Sequence, residues 1–308
     1  MVESKTHHKM RSIIFIIMFV LLNSCYSIKK SGTNKMSSNI DIQGHRGCRG
    51  LMPENSIPAF IKALDLGVTT LELDLAVTKD GIVVISHEPW LSHEFCSDLD
   101  GKRIVESKEK EFNIYGMNYE ALKKYDCGSL PHSRFPNQQL IRVYKPSLSE
   151  MIDSVKSYCK NKNKPIPHFN IEIKREPEYD GIYCPPVSKF CELVLKVIRD
   201  EKIEQHCNLQ SFDWETLRIC HKLAPEIPLA MLVENNLSPQ ENLDKLGFKP
   251  QIYSPYFKLI DAHLLSWVRK NNLKLIPWTV NEPNDIKKVL KMGVDGIISD
   301  YPDRVLKK

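Results

Sequence analysis

From residue 40 onward, short runs rich in β-branched and aromatic residues alternate with longer stretches in which apolar residues recur at spacings of three and four. The first pattern is typical of buried strands and the second of amphipathic helices. The predicted strands span residues 40–45, 70–77, 82–87, 168–174, 208–212, 228–232, 251–254, 273–280 and 296–299, and the predicted helices span 56–66, 148–160, 187–201, 214–223, 261–271 and 282–291. Strands and helices that alternate over this length form a parallel sheet with right-handed crossovers, and about eight such units close on themselves. The pattern therefore predicts an α/β fold of the TIM (β/α)8 barrel type.

One stretch, residues 88–146, interrupts this alternation. It holds charge clusters, several Gly and Pro residues, and little apolar periodicity. Because it is too long for an ordinary barrel loop, we interpret it as an insertion at the carboxyl end of an early strand, where barrel enzymes place specificity loops. A second small domain is the alternative, although a segment of this composition would build a poor independent core. The barrel domain is predicted to span residues 40–308.

The first 25 residues have the organisation of an export signal. Basic residues precede an apolar run at 13–22, which is too short to span a bilayer about 30 Å thick and is typical of a signal-peptide core. The run ends in Leu-Asn-Ser-Cys, which resembles a bacterial lipobox, so Cys25 is predicted to be lipidated. An ordinary cleaved signal with an incidental cysteine is the alternative. Residues 26–39 are polar and aperiodic, and we predict that they form a tether.

These features together predict an exported protein that is anchored by lipid in the bacterial cell envelope. Tyr26 stands where an aspartate would mark retention in the inner membrane, so we expect the outer membrane, on its periplasmic side. The composition, 42% apolar and 26% charged, is that of an ordinary globular domain. The net charge of +5 is partly concentrated before residue 36, so a nucleic-acid partner is not predicted. The sequence does not indicate the oligomeric state.

Nine cysteines occur in the chain, and Cys25 has been assigned to the lipobox. Export would permit disulfides among the other eight, but spacing alone does not fix their pairing. Cys184 and Cys191 are close in sequence, and Cys96 and Cys127 bracket one loop-rich segment, so both pairs are candidates. Free buried thiols are the alternative.

Acidic residues occupy predicted barrel strands where apolar residues are usual. In the second strand, Glu72 and Asp74 share one face, and in a later strand Asn170, Glu172 and Lys174 share one face. Carboxylates that point together into a barrel repel one another and lose solvation, and a hard divalent cation with oxygen ligands removes that cost. The two strands therefore predict a metal site. A salt bridge at the bottom of the barrel is the alternative for either strand alone.

Histidines stand at the ends of two predicted strands, His45 after the first and His87 after the third. Polar residues at the carboxyl ends of barrel strands converge on one mouth, and paired imidazoles beside a metal suit acid–base chemistry near neutral pH. Each histidine alone would more often be structural. Arg46 offers a fork that matches phosphate oxygens, and Lys174 adds a second cation. This combination indicates a site for a phosphodiester.

Several motifs occur in the order of a known family. Residues 45–60 read HRGxRGLxPENSxxAF, and the later motifs are Glu72-x-Asp74, Thr-x-Asp-Gly at 78–81, Glu172-x-Lys174, Gln-Ser-Phe at 210–212, Trp-Thr-Val-Asn at 278–281 and GxDGIxxDxP at 293–302. Over residues 42–305 the chain resembles the glycerophosphodiester phosphodiesterase family, a group of TIM barrels related to phospholipase C. A lone His-Arg pair would be weak support, whereas the ordered set is specific.

The resemblance implies a metal-dependent enzyme that hydrolyses glycerophosphodiesters to sn-glycerol 3-phosphate and an alcohol. By the matching motifs, Glu72, Asp74 and Glu172 would be the metal ligands, and the metal would be Ca²⁺ or Mg²⁺. His45 and His87 would be the general acid and base.

The resemblance also implies roles around these residues. Arg46 and Lys174 would hold the phosphate, and Trp278 would line the pocket against the glycerol. Glu54 and Asn55 would brace the metal carboxylates or the turn, while capping of the following helix is an equal alternative for Asn55.

The chain departs from the family pattern at one position. The family usually has Asp after the second histidine, and this chain has Glu88, so any role of that residue is open. Two other functions stand beside the first. A phospholipase of type C or D acting on phospholipids or lysophospholipids would suit a membrane anchor, and a lipid-anchored binding protein without catalysis is less favoured because both histidines and all three carboxylates are present.

Overall fold

The computed structural model describes residues 40–307, in which strands and helices alternate along the chain. The strands are β1 (Asp41–Gly44), β2 (Thr70–Val77), β3 (Val83–Ile85), β4 (His168–Ile173), β5 (Cys207–Ser211), β6 (Leu229–Val233), β7 (Ile252–Pro255), β8 (Lys274–Leu275) and β9 (Gly296–Ser299). The helices are α1 (Ile57–Leu66), α2 (Tyr119–Leu122), α3 (Leu148–Lys162), α4 (Val187–Asp200), α5 (Trp214–Leu223), α6 (Pro239–Leu246), α7 (Ala262–Lys270), α8 (Pro283–Met292) and α9 (Pro302–Leu306).

Eight of these strands form one parallel sheet in the order β8-β7-β6-β5-β4-β2-β1-β9. The chain that follows β8 closes the sheet against β9, since Val280 N donates to Ile298 O at 2.9 Å and Ile298 N donates to Pro277 O at 3.0 Å. The predicted (β/α)8 barrel is confirmed. The last predicted strand, 273–280, is regular only over β8 and continues as extended chain.

The prediction of a parallel barrel strand at 82–87 was wrong. β3 lies outside the barrel and pairs antiparallel with β2. The reason is a tight turn in which Gly81 has φ 79°, a left-handed conformation that glycine adopts without strain. The hairpin carries the chain back along β2, and Ser86 N donates to Asp74 O at 3.0 Å. His87 thus reaches the mouth by reversal of the chain.

Helix α6 was missed from the sequence because few of its positions are apolar, with Leu246 fully buried. Its start nevertheless carries a recognisable signal. Ser238 Oγ accepts from Glu241 N at 3.2 Å, and the Glu241 carboxylate accepts from Ser238 N at 2.8 Å. This capping box satisfies two backbone donors of the first turn.

The barrel interior has a polar side and an apolar side. On the polar side Asn170 Nδ2 donates to Gln43 Oε1 at 2.7 Å and to Gln210 Oε1 at 2.9 Å, so buried amides satisfy one another. The apolar side holds a separate cluster that packs against Trp278 and consists of Ala230, Ile252, Ile276 and Ile298. The main apolar core lies between the strands and the surrounding helices.

The insertion, residues 88–146, has a small apolar cluster that includes Ala76 of β2 and Val84 of β3. It therefore packs on the barrel. A disulfide joins Cys96 to Cys127 within the insertion, which confirms one of the two candidate pairs. The other candidate pair was wrong, because Cys184 and Cys191 are both free and buried. Closeness in sequence does not pair these two thiols. Cys191 Sγ instead lies 3.6 Å from Cys220 Sγ on the neighbouring helix.

The predicted signal peptide (1–25), the predicted lipidation site Cys25 and the predicted tether (26–39) lie outside the described residues, as does Lys308. Within residues 40–307 no helix combines the length and the apolar character needed to cross a membrane.

Candidate active site

Three carboxylates converge at the carboxyl ends of β2 and β4. The two strands are parallel neighbours whose register places Asp74 opposite Glu172, and Glu72 lies two residues earlier on the same face of β2. One ligand oxygen from each residue lies within 4.8 Å of the others, and all three residues are buried. The strand register thus builds the cluster that alternation predicted.

This cluster fits a hard cation. Asn55 Nδ2 donates to Asp74 Oδ2 at 2.9 Å, whereas Asp74 Oδ1 is buried without a hydrogen-bond partner within the described chain. Burial, followed by the carboxylates of Asp74 and Glu172, raises the pKa of Glu72 well above its ordinary value. Three buried carboxylates that resist simultaneous ionisation, with one oxygen left free, are the donor set that Ca²⁺ or Mg²⁺ prefers.

Two predicted phosphate ligands are partly engaged within the protein. Arg46 Nη1 lies 2.8 Å from Glu54 Oε1, and Arg46 Nε lies 3.2 Å from Asp74 Oδ2. Lys174 Nζ lies 3.2 Å from Glu172 Oε1, and its side chain is 25% exposed. Lys174 therefore faces the mouth, while the Arg46 fork is directed mainly toward carboxylates. Although burial opposes it, Arg46 leads the cations that lower the pKa of Asp74 below its ordinary value.

His45 is held by a residue that sequence reasoning did not single out. Its Nδ1 lies 2.5 Å from Asp300 Oδ1, and Asp300 also accepts from Arg49 Nε at 2.7 Å and from Asn281 Nδ2 at 2.7 Å. The remaining ring nitrogen, Nε2, lies 3.9 Å from Glu72 Oε2. Burial lowers the pKa of His45 to about 4, even though the Asp300 carboxylate acts to raise it. Asp300 belongs to the closing GxDGIxxDxP motif, which was the available signal.

His87 has the same kind of partner from its own neighbour. Its Nδ1 lies 2.6 Å from Glu88 Oε1, so the residue whose role the sequence left open contacts the imidazole. Despite burial, His87 is the largest influence that lowers the pKa of the Glu88 carboxyl below its ordinary value. In both pairs the carboxylate binds Nδ1, which leaves Nε2 available for proton transfer.

The mouth holds a cavity of about 140 Å³. Its polar wall includes both histidines, Glu72, Glu172 and Lys174, and its apolar wall consists of Phe212, Leu232, Trp278 and Ile298. Trp278 Nε1 donates to Ser254 O at 2.9 Å, and its ring meets Phe212 edge-on with centroids 5.3 Å apart. The mouth therefore offers a polar surface to one end of a substrate and an apolar surface to its other, carbon-bearing end.

Two residues within the first motif, Glu54 and Asn55, contact the side chains that form the mouth. Asn55 contacts Asp74 and does not cap α1, because Ser56 Oγ accepts from Ala59 N at 3.3 Å. Glu54 contacts arginines and makes no hydrogen bond to the carboxylate cluster within the described chain. A further support was missed in sequence reasoning. Gln210 Nε2 donates to Glu72 Oε1 at 2.9 Å, a contact its inward position on β5 could have indicated.

The model of the glycerophosphoryl diester phosphodiesterase family matches residues 45–304 of this sequence, which covers most of the chain and all of the site. The chain belongs to this family. It is therefore a phosphodiesterase, an enzyme that hydrolyses phosphoric diesters.

Individual relatives agree with membership of the phosphodiesterase family. A glycerophosphodiester phosphodiesterase of Caldanaerobacter subterraneus is 30% identical over 85% of this chain and 94% of its own length. A candidate glycerophosphoryl diester phosphodiesterase from Silicibacter pomeroyi has a crystal structure with a TM-score of 0.76 and 30% identity, over 86% of this chain and 91% of its own. A phosphodiesterase of Oleispira antarctica, solved with its product sn-glycerol-3-phosphate, shares the fold at 23% identity and a TM-score of 0.67, over 87% of this chain and 95% of its own.

Proposed function

We propose that this phosphodiesterase hydrolyses glycerophosphodiesters to sn-glycerol 3-phosphate and an alcohol, with a divalent cation at the three carboxylates and His45 and His87 as the acid–base pair. The arrangement that carries the proposal is the pair of imidazoles in one mouth with the carboxylate cluster. Each imidazole has its Nδ1 bound to a carboxylate, so each presents Nε2 as the exchangeable position. The family and its glycerophosphodiester-hydrolysing relative support the choice of substrate.

Proton movement follows from the two Nε2 atoms. One imidazole accepts the proton of the attacking hydroxyl, whether of water or of the neighbouring glycerol group, as the new P–O bond forms. The other donates a proton to the alcohol oxygen as the old P–O bond breaks. Each transfer typically contributes about 10²- to 10⁴-fold. A cation held by Glu72, Asp74 and Glu172 would supply charge stabilisation for the phosphodiester.

The side chains that would contact the substrate fall into a charged group and an apolar group. Of the two cations, Lys174 has the more exposed side chain, so we assign it to bind the phosphate oxygens. Arg46 lines the mouth beside the carboxylates and adds positive charge there, and Trp278 with Phe212 forms the surface for the glycerol carbons. Glu54 and Asn55 act by fixing Arg46 and Asp74.

Turnover of a panel of glycerophosphodiesters, before and after removal of divalent ions, tests the proposal. We expect exhaustive chelation to abolish activity and Ca²⁺ or Mg²⁺ to restore it. His45→Asn and His87→Asn should each lose at least about 10²-fold in kcat while they unfold like the wild type. The matched control is His93→Asn on the insertion, where Nδ1 also lies 2.6 Å from a carboxylate, that of Glu109, but away from the mouth. Turnover that survives chelation, or either active-site variant within a few fold of wild type, would refute the assignment.

Lysophospholipids belong in the same panel as the second candidate substrate. The observation that favours them is that the insertion exposes large apolar side chains, namely Leu99, Val105, Leu140 and Ile141. If acyl chains contact the protein, kcat/KM should rise with acyl length. A preference for glycerophosphodiesters without acyl chains assigns the enzyme to the first class.

We also propose that the enzyme is exported and lipidated at Cys25. The signal-like segment and the lipobox-like sequence motivate this, and a disulfide between Cys96 and Cys127 suits an oxidising compartment. Incorporation of a labelled fatty acid in a bacterial host should require Cys25 and disappear in Cys25→Ala. Equal labelling of both proteins would contradict the anchor.

A further inference from the structure

The neighbouring strands β4 and β5 end side by side at the mouth. Their register pairs Glu172 with Gln210, and both side chains line the cavity. One residue further along each strand, Ser211 Oγ donates to Ile173 O at 2.8 Å, with the same separation of 38 residues. The residues that follow the two strands can therefore face one another with this same offset.

The first residues after the strands contact each other inside the mouth. Lys174 Nζ lies 5.8 Å from the centroid of the Phe212 ring, which is within the range of a cation–π contact. The same ammonium lies 3.2 Å from Glu172 Oε1. Both Lys174 and Phe212 line the cavity, and the proposed function assigns them to the phosphate and to the glycerol carbons. The cation and the apolar wall of the mouth are thus in contact before any substrate binds.

The next residue of each segment forms an ion pair with the same offset of 38 residues. Arg175 Nη1 lies 2.7 Å from Asp213 Oδ2. Its Nε and Nη2 donate to the two oxygens of Asp180, at 2.9 Å and 2.8 Å. The Arg175 side chain is only 10% exposed. Because a guanidinium presents its donors in a rigid fork, Arg175 holds both carboxylates in one fixed geometry.

The Asp213 carboxylate is itself fixed by helix α5. It caps the helix, since it accepts from Glu215 N at 3.2 Å and from Thr216 N at 3.1 Å. It also accepts from Thr216 Oγ1 at 2.7 Å. Arg175 therefore ties the backbone that carries Lys174 to a rigid point at the start of α5.

We propose that Arg175 is a positioning residue for the phosphodiesterase reaction: its ion pair with Asp213 holds the Lys174 ammonium and the Phe212 ring in one arrangement around the substrate. This rests on the proposed function, because it requires Lys174 to bind the phosphate and Phe212 to contact the glycerol. Both contacts form when the substrate binds and persist in the transition state. Loss of the ion pair should therefore weaken substrate binding more than it slows the chemical step.

Arg175→Gln tests the proposal, because it keeps a polar side chain and removes the charge. We expect KM for a glycerophosphodiester to rise roughly tenfold, the factor that corresponds to loss of one hydrogen bond between charged groups, while kcat stays within about threefold of wild type. The inhibition constant of the product, sn-glycerol 3-phosphate, should rise by the same factor. An arginine that only stabilises the fold would lower the amount of active enzyme, and hence kcat, without changing KM.

Two further variants separate the ion pair from folding. Arg175→Lys should recover part of the loss in KM, because an ammonium keeps the charge but lacks the fork that binds two carboxylates. Asp213→Asn decides the question if Arg175→Gln does not fold. Asparagine can still cap α5 but loses the charge that pairs with Arg175, so KM should rise in the same way.

A double-mutant cycle with Lys174→Met shows whether Arg175 acts through the substrate-binding side chains. We expect Arg175→Gln in the Lys174→Met background to raise KM by less than about threefold further. Arg269→Gln is the matched control, because Arg269 Nη1 also lies close to a carboxylate, 2.6 Å from Asp295 Oδ2, but beside the amino end of β9. It should leave both KM and kcat unchanged. Thermal unfolding of every variant reports its stability.

Two outcomes overturn the proposal. In the first, folded Arg175→Gln or Asp213→Asn keeps KM and the inhibition constant within twofold of wild type. In the second, the increases in KM from Arg175→Gln and Lys174→Met multiply. Failure here is distinguishable from failure of the proposed function. If His87→Asn is inactive and Arg175→Gln binds substrate normally, only the role of Arg175 falls, whereas an active His87→Asn removes the proposed function itself.

Discussion

His45 and His87 each bring Nδ1 to a carboxylate oxygen, at 2.5 Å in the first pair and 2.6 Å in the second. The first carboxylate, Asp300, comes from the far end of the barrel sequence and also accepts from Arg49 and Asn281. The second, Glu88, is adjacent in sequence. The His45 side chain is 11% exposed and that of His87 is 27% exposed. One pair is thus built by closure of the barrel, and the other by a hairpin and the insertion that follows it.

The difference shows two ways to orient an imidazole. Asp300 is fixed by three partners, so its position does not depend on His45 alone. The Glu88 carboxylate has a single hydrogen-bond partner among the described residues, so its position depends on the surrounding charge and packing. We expect the first pair to be rigid and sensitive to loss of charge, and the second to tolerate change in its partner.

The largest effect should come from neutralising each carboxylate. Asp300→Asn removes the closer of the two anions that contact buried Arg49, so we expect kcat to fall about 100-fold and the free energy of unfolding to fall by about 3 kcal/mol. Glu88→Gln should lower kcat about tenfold and change stability by less than about 1 kcal/mol. Steady-state kinetics and urea unfolding measure both. A Glu88→Gln variant more damaged than Asp300→Asn would reverse the comparison.

Removal of the disulfide between Cys96 and Cys127 should disturb the His87–Glu88 pair and leave the His45–Asp300 pair unaffected. Cys96 and Cys127 are separated by 31 residues, so Cys96→Ala with Cys127→Ala should lower the free energy of unfolding by about 3 kcal/mol. Because the insertion lies against the His87 side, the kinetic loss should be non-additive with Glu88→Gln and additive with Asp300→Asn. Equal additivity with both carboxylate variants would show that the two pairs share one support.

The smallest effect concerns the pH dependence of stability. The folded pKa of His45 is about 4 and the ordinary value is 6.5, so the unfolded chain binds this proton first. The stability linked to His45 is therefore complete above pH 6.5 and is lost as pH falls toward 4. Between pH 7 and pH 5 the loss amounts to about 2 kcal/mol. Over this pH range, and after treatment with a chelator, the free energy of unfolding of His45→Gln should fall by about 2 kcal/mol less than that of the wild type. An unchanged slope would show that His45 titrates normally.

Much of the carboxylate cluster could be predicted from the sequence, since alternation put Glu72 with Asp74 on one face and repeated the arrangement around Glu172. Local periodicity was sufficient because both strands are regular and adjacent in the sheet. The partner of His45 was not predictable in this way. Asp300 lies 255 residues from His45, and only closure of β1 against β9 brings them together.

The same distinction explains the errors. The run at 82–87 has the composition of a strand, but a turn at Gly81 and pairing with β2 decided its direction. Among the cysteines, closeness in sequence suggested Cys184 with Cys191, whereas helix packing placed Cys191 beside Cys220.

The sequence by itself determined the alternation of elements, the barrel class and the inward carboxylates, because these depend on side-chain period within single strands and helices. The tertiary structure decided which carboxylate holds each histidine and which carboxylates the Arg46 guanidinium contacts. Those features depend on contacts between segments far apart in the chain, and on burial, which no local pattern encodes.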